Sequence, residues 1–404
     1  MHANPFSDAE LAARLERVRV AMQARHLDLL LLSTPENIFY LTGLDHWGYF
    51  APHLLLVPPE SDMTLITRAM ERVTVEHQVR NAQFFGHTDS ETAADLAIRH
   101  LRDRSTKRSG AEDALAKFEG VIEALPRGRN RIGAEIWSAG FAYGFGAALR
   151  ESVADAEWID ATGLVDELRL VKSPEEQELM RRAAKASDAG MQAAIAAIHD
   201  GADEADVAAE CLAAMTRAGG TPPGFGPFIR PESRIAEEHT SWGEERYRAG
   251  ERVMLEVAGC VARYNAPQGR MISVGTIRDA DAEMAEISKR AFAAILSALK
   301  PGVRARDIYA AWQNVVDEAG MPHYRRHHCG YAVGIGFPPS WTGGNRVTGL
   351  RHDSDLIIEE GMTFHAMSWF TETGRGDFFL SNTILLGPTG PEVLTRTPPG
   401  PIAA

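Results

Sequence analysis

Apolar residues recur every three to four positions between Ser7 and Arg25, at Leu11, Leu15, Val18 and Met22, which predicts an amphipathic helix. Ser7 stands where an N-cap belongs, with Glu10 three residues on. Leu29 to Leu32 is an unbroken apolar run of strand length, and Pro35-Glu36-Asn37 is expected to end it as a turn. Further strands are expected at 53–57, stopped by Pro58-Pro59, at 63–67 and at 131–135, with a helix at 111–124. This alternation predicts a small mixed sheet covered by helices over about residues 1–160.

The pattern changes at 166–175, DELRLVKSPE. Ser173-Pro174-Glu175-Glu176 is a helix start, with Ser at the cap and Pro at the first helical position. A long Ala-rich helix should run from there to about Ile198. A second should span Asp203 to Ala218, broken by Gly219-Gly220 and the Pro-rich stretch 221–231. Strands are expected at 252–261, 268–275, 362–370 and 377–386, with helices near 279–299 and 305–319. The second half therefore reads as α+β, antiparallel strands framing two helix pairs.

Composition narrows the function classes. The 404 residues carry 42 Lys+Arg against 55 Asp+Glu, a net charge of −13, and no basic run is interleaved with aromatics. Nucleic-acid binding needs a clustered positive surface, so nucleic acid is not an expected partner. The longest apolar runs fall far short of the roughly 20 residues of a bilayer span, so no membrane association is expected. The first residues lack a basic start followed by an apolar core. Cys211, Cys260 and Cys329 form neither a CxxC pair nor a disulfide framework. A cytoplasmic location with reduced thiols is the expectation.

One residue stands against its surroundings. Glu256 interrupts the apolar strand Arg252-Val253-Met254-Leu255-Glu256-Val257-Ala258, and a carboxylate in such a run is costly unless paired or functional. It is either a catalytic group or a strand-edge acid paired with Arg263 or Arg252. The cluster His323, His327, His328 has the residue type of a metal site. It lies on a loop-to-strand segment beside two arginines that would repel a cation, so no metal is expected there.

Four segments together resemble the creatinase/aminopeptidase P superfamily, whose C-terminal half has the pita-bread fold. They are Asn37-Ile38-Phe39-Tyr40-Leu41-Thr42-Gly43, Arg169 to Glu176, Gly250 to Ala258, and Glu360-Gly361-Met362-Thr363-Phe364. The resemblance implies an α+β protein with an N-terminal creatinase-like α/β domain over 1–165 and a C-terminal pita-bread catalytic domain over 166–404. Peptidases of the superfamily hold two metal ions through two Asp, one His and two Glu. Those positions fall on Glu256, Pro267, Tyr331, Met367 and Ser381, so four of the five ligands are replaced and no metal or other cofactor is expected.

His239 falls on the histidine that creatinase, a metal-free member, uses as general acid and base, whereas creatinase's two glutamates fall on Gly269 and Ser381. The branch of ectoine hydrolases is more similar, through Leu255 to Gly259, Arg263 to Pro267 and Gly330 to Trp341. It implies Glu256 as the catalytic carboxylate. Relatives in that branch carry acids near Gly343 or Gly344 and at or beside Asn382, where this chain is uncharged.

The resulting expectation is a metal-independent hydrolase of a small non-peptide C–N bond, in the manner of ring opening of a cyclic amidine carboxylate. Glu256 would be nucleophile or base and His239 the proton shuttle. Tyr264, Tyr331, Trp242, Trp341 and His365 are expected around the substrate, with core packing as the alternative for the aromatics. Arg270, Arg346 and Arg351 are candidates to hold a carboxylate, Arg270 foremost. The resemblance also implies a homodimer in which the N-terminal domain of one subunit reaches the partner's active site, here through Trp47, Tyr49 and Phe50 of the loop 45–50. A creatinase-type amidinohydrolase, an Xaa-Pro peptidase-like enzyme and a non-catalytic binding protein on the same fold are the alternatives.

Overall fold

The computed structural model describes residues 3–102 and 130–404, so the helix expected at 111–124 lies outside the described residues. The chain divides into two compact units, Met1–Arg169 with Gly344–Arg346, and Leu170–Gly343 with Val347–Ala404.

In the N-terminal unit, Ser7 caps α1 (Asp8–Ala24) by accepting from the Glu10 amide. Strand β1 (Leu29–Leu32) follows as expected. Pro35-Glu36-Asn37 does not form the expected turn: it opens helix α2 (Pro35–Thr42), which Gly43 ends in the left-handed region at φ 73°. Proline lacks the amide that the first helical turn leaves unbonded anyway, so the same residue that signals a turn also starts a helix.

Strands β2 (Leu54–Val57) and β3 (Met63–Arg68) precede helix α3 (Arg72–Gln78), strand β4 (Ala82–His87) and helix α4 (Ala93–Arg102). Strand β5 (Arg131–Ala134), helix α5 (Tyr143–Ser152), strand β6 (Glu157–Asp160) and helix α6 (Leu164–Leu168) follow among the described residues. The sheet order is β4-β3-β2-β1-β5-β6. The β1–β2 and β2–β3 pairs are antiparallel and the rest parallel, the mixed sheet expected. Leu29, Leu31, Leu54, Leu56 and Ile132 pack one face against Ala97, Phe145 and Leu149 of the helices.

In the C-terminal unit, Ser173 and Glu176 form a reciprocal capping box at the start of α7 (Pro174–Ala197). Helix α8 (Glu204–Arg217) is capped by Asp203. The strands are β7 (Phe228–Pro231), β8 (Arg252–Val261) and β9 (Tyr264–Ser273), followed by helices α9 (Asp279–Ala298) and α10 (Ala305–Glu318). Next come β10 (Gly330–Ala332), β11 (Thr363–Phe370), β12 (Phe378–Gly387), β13 (Gly390–Val393) and β14 (Ile402–Ala403). The main path is β10-β11-β12-β9-β8-β7, antiparallel throughout.

Strand parity sorts this sheet into two faces, because successive side chains point to opposite sides and directly paired residues to the same side. Val253, Leu255 and Val257 pack with Met191, Ala194, Val207 and Cys211 of α7 and α8. Contact is close enough that the Gly259 amide donates to Ser187 Oγ of α7 at 2.7 Å, where a Cβ at 259 would strike the helix backbone. The even residues of β8, Met254, Glu256 and Ala258, therefore look away from these helices. Among the described residues, no helix is long and apolar enough to cross a membrane.

Candidate active site

The pairings propagate the Glu256 face across the sheet. Glu256 pairs with both Phe228 on β7 and Gly269 on β9, and Gly269 pairs with Ser381 on β12. Ser381 pairs with Met367 on β11, and His365, two residues earlier, pairs with Tyr331 on β10. Pro267 shares the face as the partner of Ala258. One surface thus carries Arg230, Phe228, Glu256, Pro267, Met367, His365 and Tyr331.

Above this surface lies a cavity of about 470 Å³, of a size suited to a small molecule. Its walls are aromatic: Phe225, Phe228, Tyr331, Trp341 and Trp369. Phe225 meets Trp341 edge-on at 4.8 Å between ring centres. Its polar groups include Arg230, Glu238, His239, Glu256 and Arg351.

Glu256 is 8% exposed, and burial pushes its carboxyl up to about 7, against a downward pull from Arg230 and an upward push from Glu238. The alternative of a pair with Arg252 is not realised. Arg252 is held by Glu232 at 2.6 Å, Asp377 at 3.1 Å and Asp281 at 3.2 Å. A carboxyl poised near neutrality can exist as acid and as base within one turnover.

His239 lies on the loop before β8, exposed and in the left-handed region at φ 56°. Its ring stacks 6.0 Å from Phe225. The loop is tied down by Arg234, which binds Glu204 at 2.5 Å, the Ser241 carbonyl at 3.0 Å and Glu245 at 3.2 Å.

Behind the cavity wall runs a buried chain of hydrogen bonds. Trp341 Nε1 donates to the Tyr331 hydroxyl at 2.9 Å, Tyr331 meets His365 Nδ1 at 2.9 Å, and His365 Nε2 meets Ser381 Oγ at 2.7 Å. Burial, reinforced by His328, lowers His365 to about 3, so the ring is neutral at neutral pH. A neutral imidazole with its proton on Nε2 accepts from Tyr331 and donates to Ser381, which satisfies every link. Glu256 Oε1 lies 3.9 Å from His365 Nδ1, close to an uncharged ring rather than to a cation. Tyr331→Phe leaves Trp341 Nε1 and His365 Nδ1 without their shared partner. We expect a loss of about 2–3 kcal/mol in urea denaturation, since each orphaned buried polar group costs about 1–3 kcal/mol.

Several expected site residues stand elsewhere. Tyr264 and Arg270 have the wrong parity for the cavity: Tyr264 pairs with Val261, and Arg270 with Leu255. The Tyr264 hydroxyl donates to Glu176 of α7 at 2.8 Å. The Arg270 guanidinium is saturated by the carbonyls of Pro398, Gly269, Ser381 and Thr397 and by Asn382 Oδ1, so it is a structural clamp and not a substrate anchor. Trp242 is 39% exposed beside Gly226, outside the cavity lining. His365 is fully buried behind Tyr331 instead of touching the cavity. Arg346 belongs to the N-terminal unit, as do Trp47, Tyr49 and Phe50.

The uncharged positions have structural occupations. Asn382 accepts from Arg270 and from Thr395 Oγ1, and Gly343 and Gly344 lie at φ 64° and 75°, where an acid would be strained. Arg230, Glu238 and Phe225 were not singled out from the sequence. Parity on Phe228-Ile229-Arg230 could have revealed Arg230, had that short stretch been read as a strand.

The donor positions do not fit a pair of divalent ions. Pro267, Met367 and the Tyr331 phenol, held well above its usual value by burial, offer no hard anionic oxygen. Among the described residues, no group of three or more His, Cys, Asp or Glu is arranged to hold a metal ion.

Residues 178–388 match metallopeptidase family M24, and residues 14–171 match the creatinase/prolidase N-terminal domain. The chain belongs to metallopeptidase family M24. Within M24 it is 29% identical to an ectoine hydrolase from Halomonas elongata, over 98% of this chain and 97% of that one. It is 27% identical to an Xaa-Pro dipeptidase from Pyrococcus horikoshii, over 95% and 97%. A solved Xaa-Pro dipeptidase from Bacillus anthracis superimposes with a TM-score of 0.79 at 22% identity, covering 98% of this chain and all of that one. The expected architecture, a creatinase-type N-terminal domain followed by a pita-bread domain, is that of this M24 chain. Membership in M24 places it among hydrolases.

Proposed function

We propose that this M24 chain hydrolyses a small non-peptide C–N bond without a bound metal, in the manner of ectoine hydrolase. The observation that carries the reading is Glu256, a buried carboxyl near neutrality beside an aromatic cavity whose other metal-donor positions hold Pro, Tyr, Met and Ser. The similarity to the Halomonas elongata ectoine hydrolase supports the choice of bond.

An amidinium carbon is already electrophilic, so it does not need a Lewis acid to polarise it, whereas an amide does. The Glu256 carboxylate attacks that carbon or deprotonates a water that does. In the overall reaction the water oxygen becomes the amide oxygen. Both water protons end on the departing ring nitrogen, which leaves as an ammonium group. His239, on the same cavity, carries a proton to that nitrogen. The proposal includes a homodimer in which Trp47, Tyr49 and Phe50 of one subunit cover the partner's cavity. The 62% exposure of Trp47 and 81% of Phe50 supports it.

The test is proton NMR of chelator-treated protein with ectoine, with creatine and a Gly-Pro dipeptide in parallel. Conversion of ectoine to an acetylated diaminobutyrate, at a rate unchanged by the chelator, is expected. Gly-Pro cleavage that chelation abolishes and divalent metal restores would overturn the proposal in favour of an Xaa-Pro peptidase.

A further inference from the structure

The cavity holds one charged group whose chemistry is unfinished. Arg230 is 2% exposed and lines the cavity. Among the described residues, no carboxylate comes within 4.0 Å of it. Its one side-chain hydrogen bond is from Nη2 to the Met254 thioether at 3.1 Å, and its Nε, also buried, has no partner. A guanidinium is a five-donor fork suited to a planar anion, and a thioether is a weak acceptor. Burying such a group without an anion is costly, so it marks a site completed from outside.

The register says where that anion would sit. Arg230 pairs with Met254 and Phe228 with Glu256, so Arg230 and Glu256 are diagonal neighbours on one face of β7–β8. Diagonal side chains in an antiparallel pair stand roughly 7–8 Å apart, somewhat less at their Cβ atoms. We infer that Arg230 anchors a carboxylate of the substrate and so holds the reacting carbon over Glu256. The inference rests on the proposed hydrolysis for the identity of the reacting carbon, but the anion site itself does not.

Charge of both signs lines the cavity side by side: Glu256 and Glu238 can receive a cationic centre, and Arg230, which feels both carboxylates, can receive the anion. The substrate class is a compact zwitterion with its amidinium carbon and carboxylate a few bonds apart. Arg351 also lines the cavity, but it is exposed and already bound to Asp353 at 2.9 Å.

Benzoate and its neutral isostere benzamide test the anion site directly, read by quenching of Trp341 and Trp369 fluorescence. The full chain should bind benzoate at least about 30-fold more tightly than benzamide, and Arg230→Gln should bring the ratio below about threefold. Arg230→Lys, which keeps the charge and loses the fork, should retain about a tenth of the preference and serves if the Gln variant does not fold.

Equal affinity for the two probes in the native chain would overturn the inference. So would a benzoate preference left intact by the Lys or Gln variant, or one lost in Arg351→Gln instead. Binding is read without turnover. A chain that holds benzoate through Arg230 yet leaves ectoine untouched keeps the anion site and loses the hydrolase reading; hydrolysis indifferent to Arg230→Gln does the reverse.

Discussion

Glu256→Gln should lower kcat for ectoine by about 10³–10⁴-fold, because the carboxylate supplies the nucleophile or base and the isosteric amide supplies neither. The same substitution should make the protein more stable at alkaline pH. The folded carboxyl titrates near 7, above its ordinary value of 4.5, so the folded state binds this proton more tightly than the unfolded chain. The stabilisation linked to that proton is fully present below about 4.5 and is lost as pH rises through about 7. Above pH 8 the native chain bears the full cost of a buried carboxylate, on the order of 3 kcal/mol. Gln carries no such cost. Urea denaturation at pH 4.5 should find the two proteins within about 0.5 kcal/mol, and at pH 8.5 the variant should be more stable by roughly the full amount. Equal stability at both pH values would mean that Glu256 is not desolvated. In the native protein, kcat/KM should rise with pH through about 7 as Glu256 ionises.

His239→Asn should reduce kcat by about 10²–10³-fold while leaving KM within about threefold, the signature of a group that acts on proton transfer rather than on binding. Asparagine is the informative replacement because His239 sits at φ 56°, and Asn tolerates the left-handed region better than Ala. Partial recovery of the lost rate by added imidazole would identify the missing function as proton transfer. A variant with an unchanged kcat would remove His239 from the mechanism and leave it as part of the cavity rim.

Most elements of the C-terminal unit can be read from local pattern, and in the N-terminal unit α1, β1, β2, β3 and β5 can, whereas α3, β4, α4, α5 and β6 were not expected. Leu29–Leu32, Arg252–Val261 and the capped helices after Ser7, Ser173 and Asp203 occur at their expected places. They do so because period and capping chemistry are properties of a few neighbouring residues. Pro35 shows where local reading divides, since one residue serves both a turn and a first helical position. Strand β7 escaped because Phe228-Ile229-Arg230-Pro231 is short and carries neither a continuous apolar run nor enough alternation to register. With β7 went Arg230.

The candidate site shows the same division. Glu256 was legible because a lone acid in an apolar strand is anomalous at any register. Tyr264 and Arg270 were misplaced because residue type drew them toward a substrate. Their odd spacing from Pro267, three residues either side, already set them on the opposite face from it. Sequence by itself therefore determined the capped helices and the strongly patterned strands, the misfit of the metal-donor positions and the anomaly of Glu256. Only tertiary structure decided which strand face looks into the cavity and that Arg270 is saturated by carbonyls while Arg230 is not. It also decided that burial brings Glu256 close to neutrality. Those outcomes depend on which strands pair and what covers them, and a strand's own alternation groups its residues into two sets without saying which set faces the solvent, the helices or the substrate.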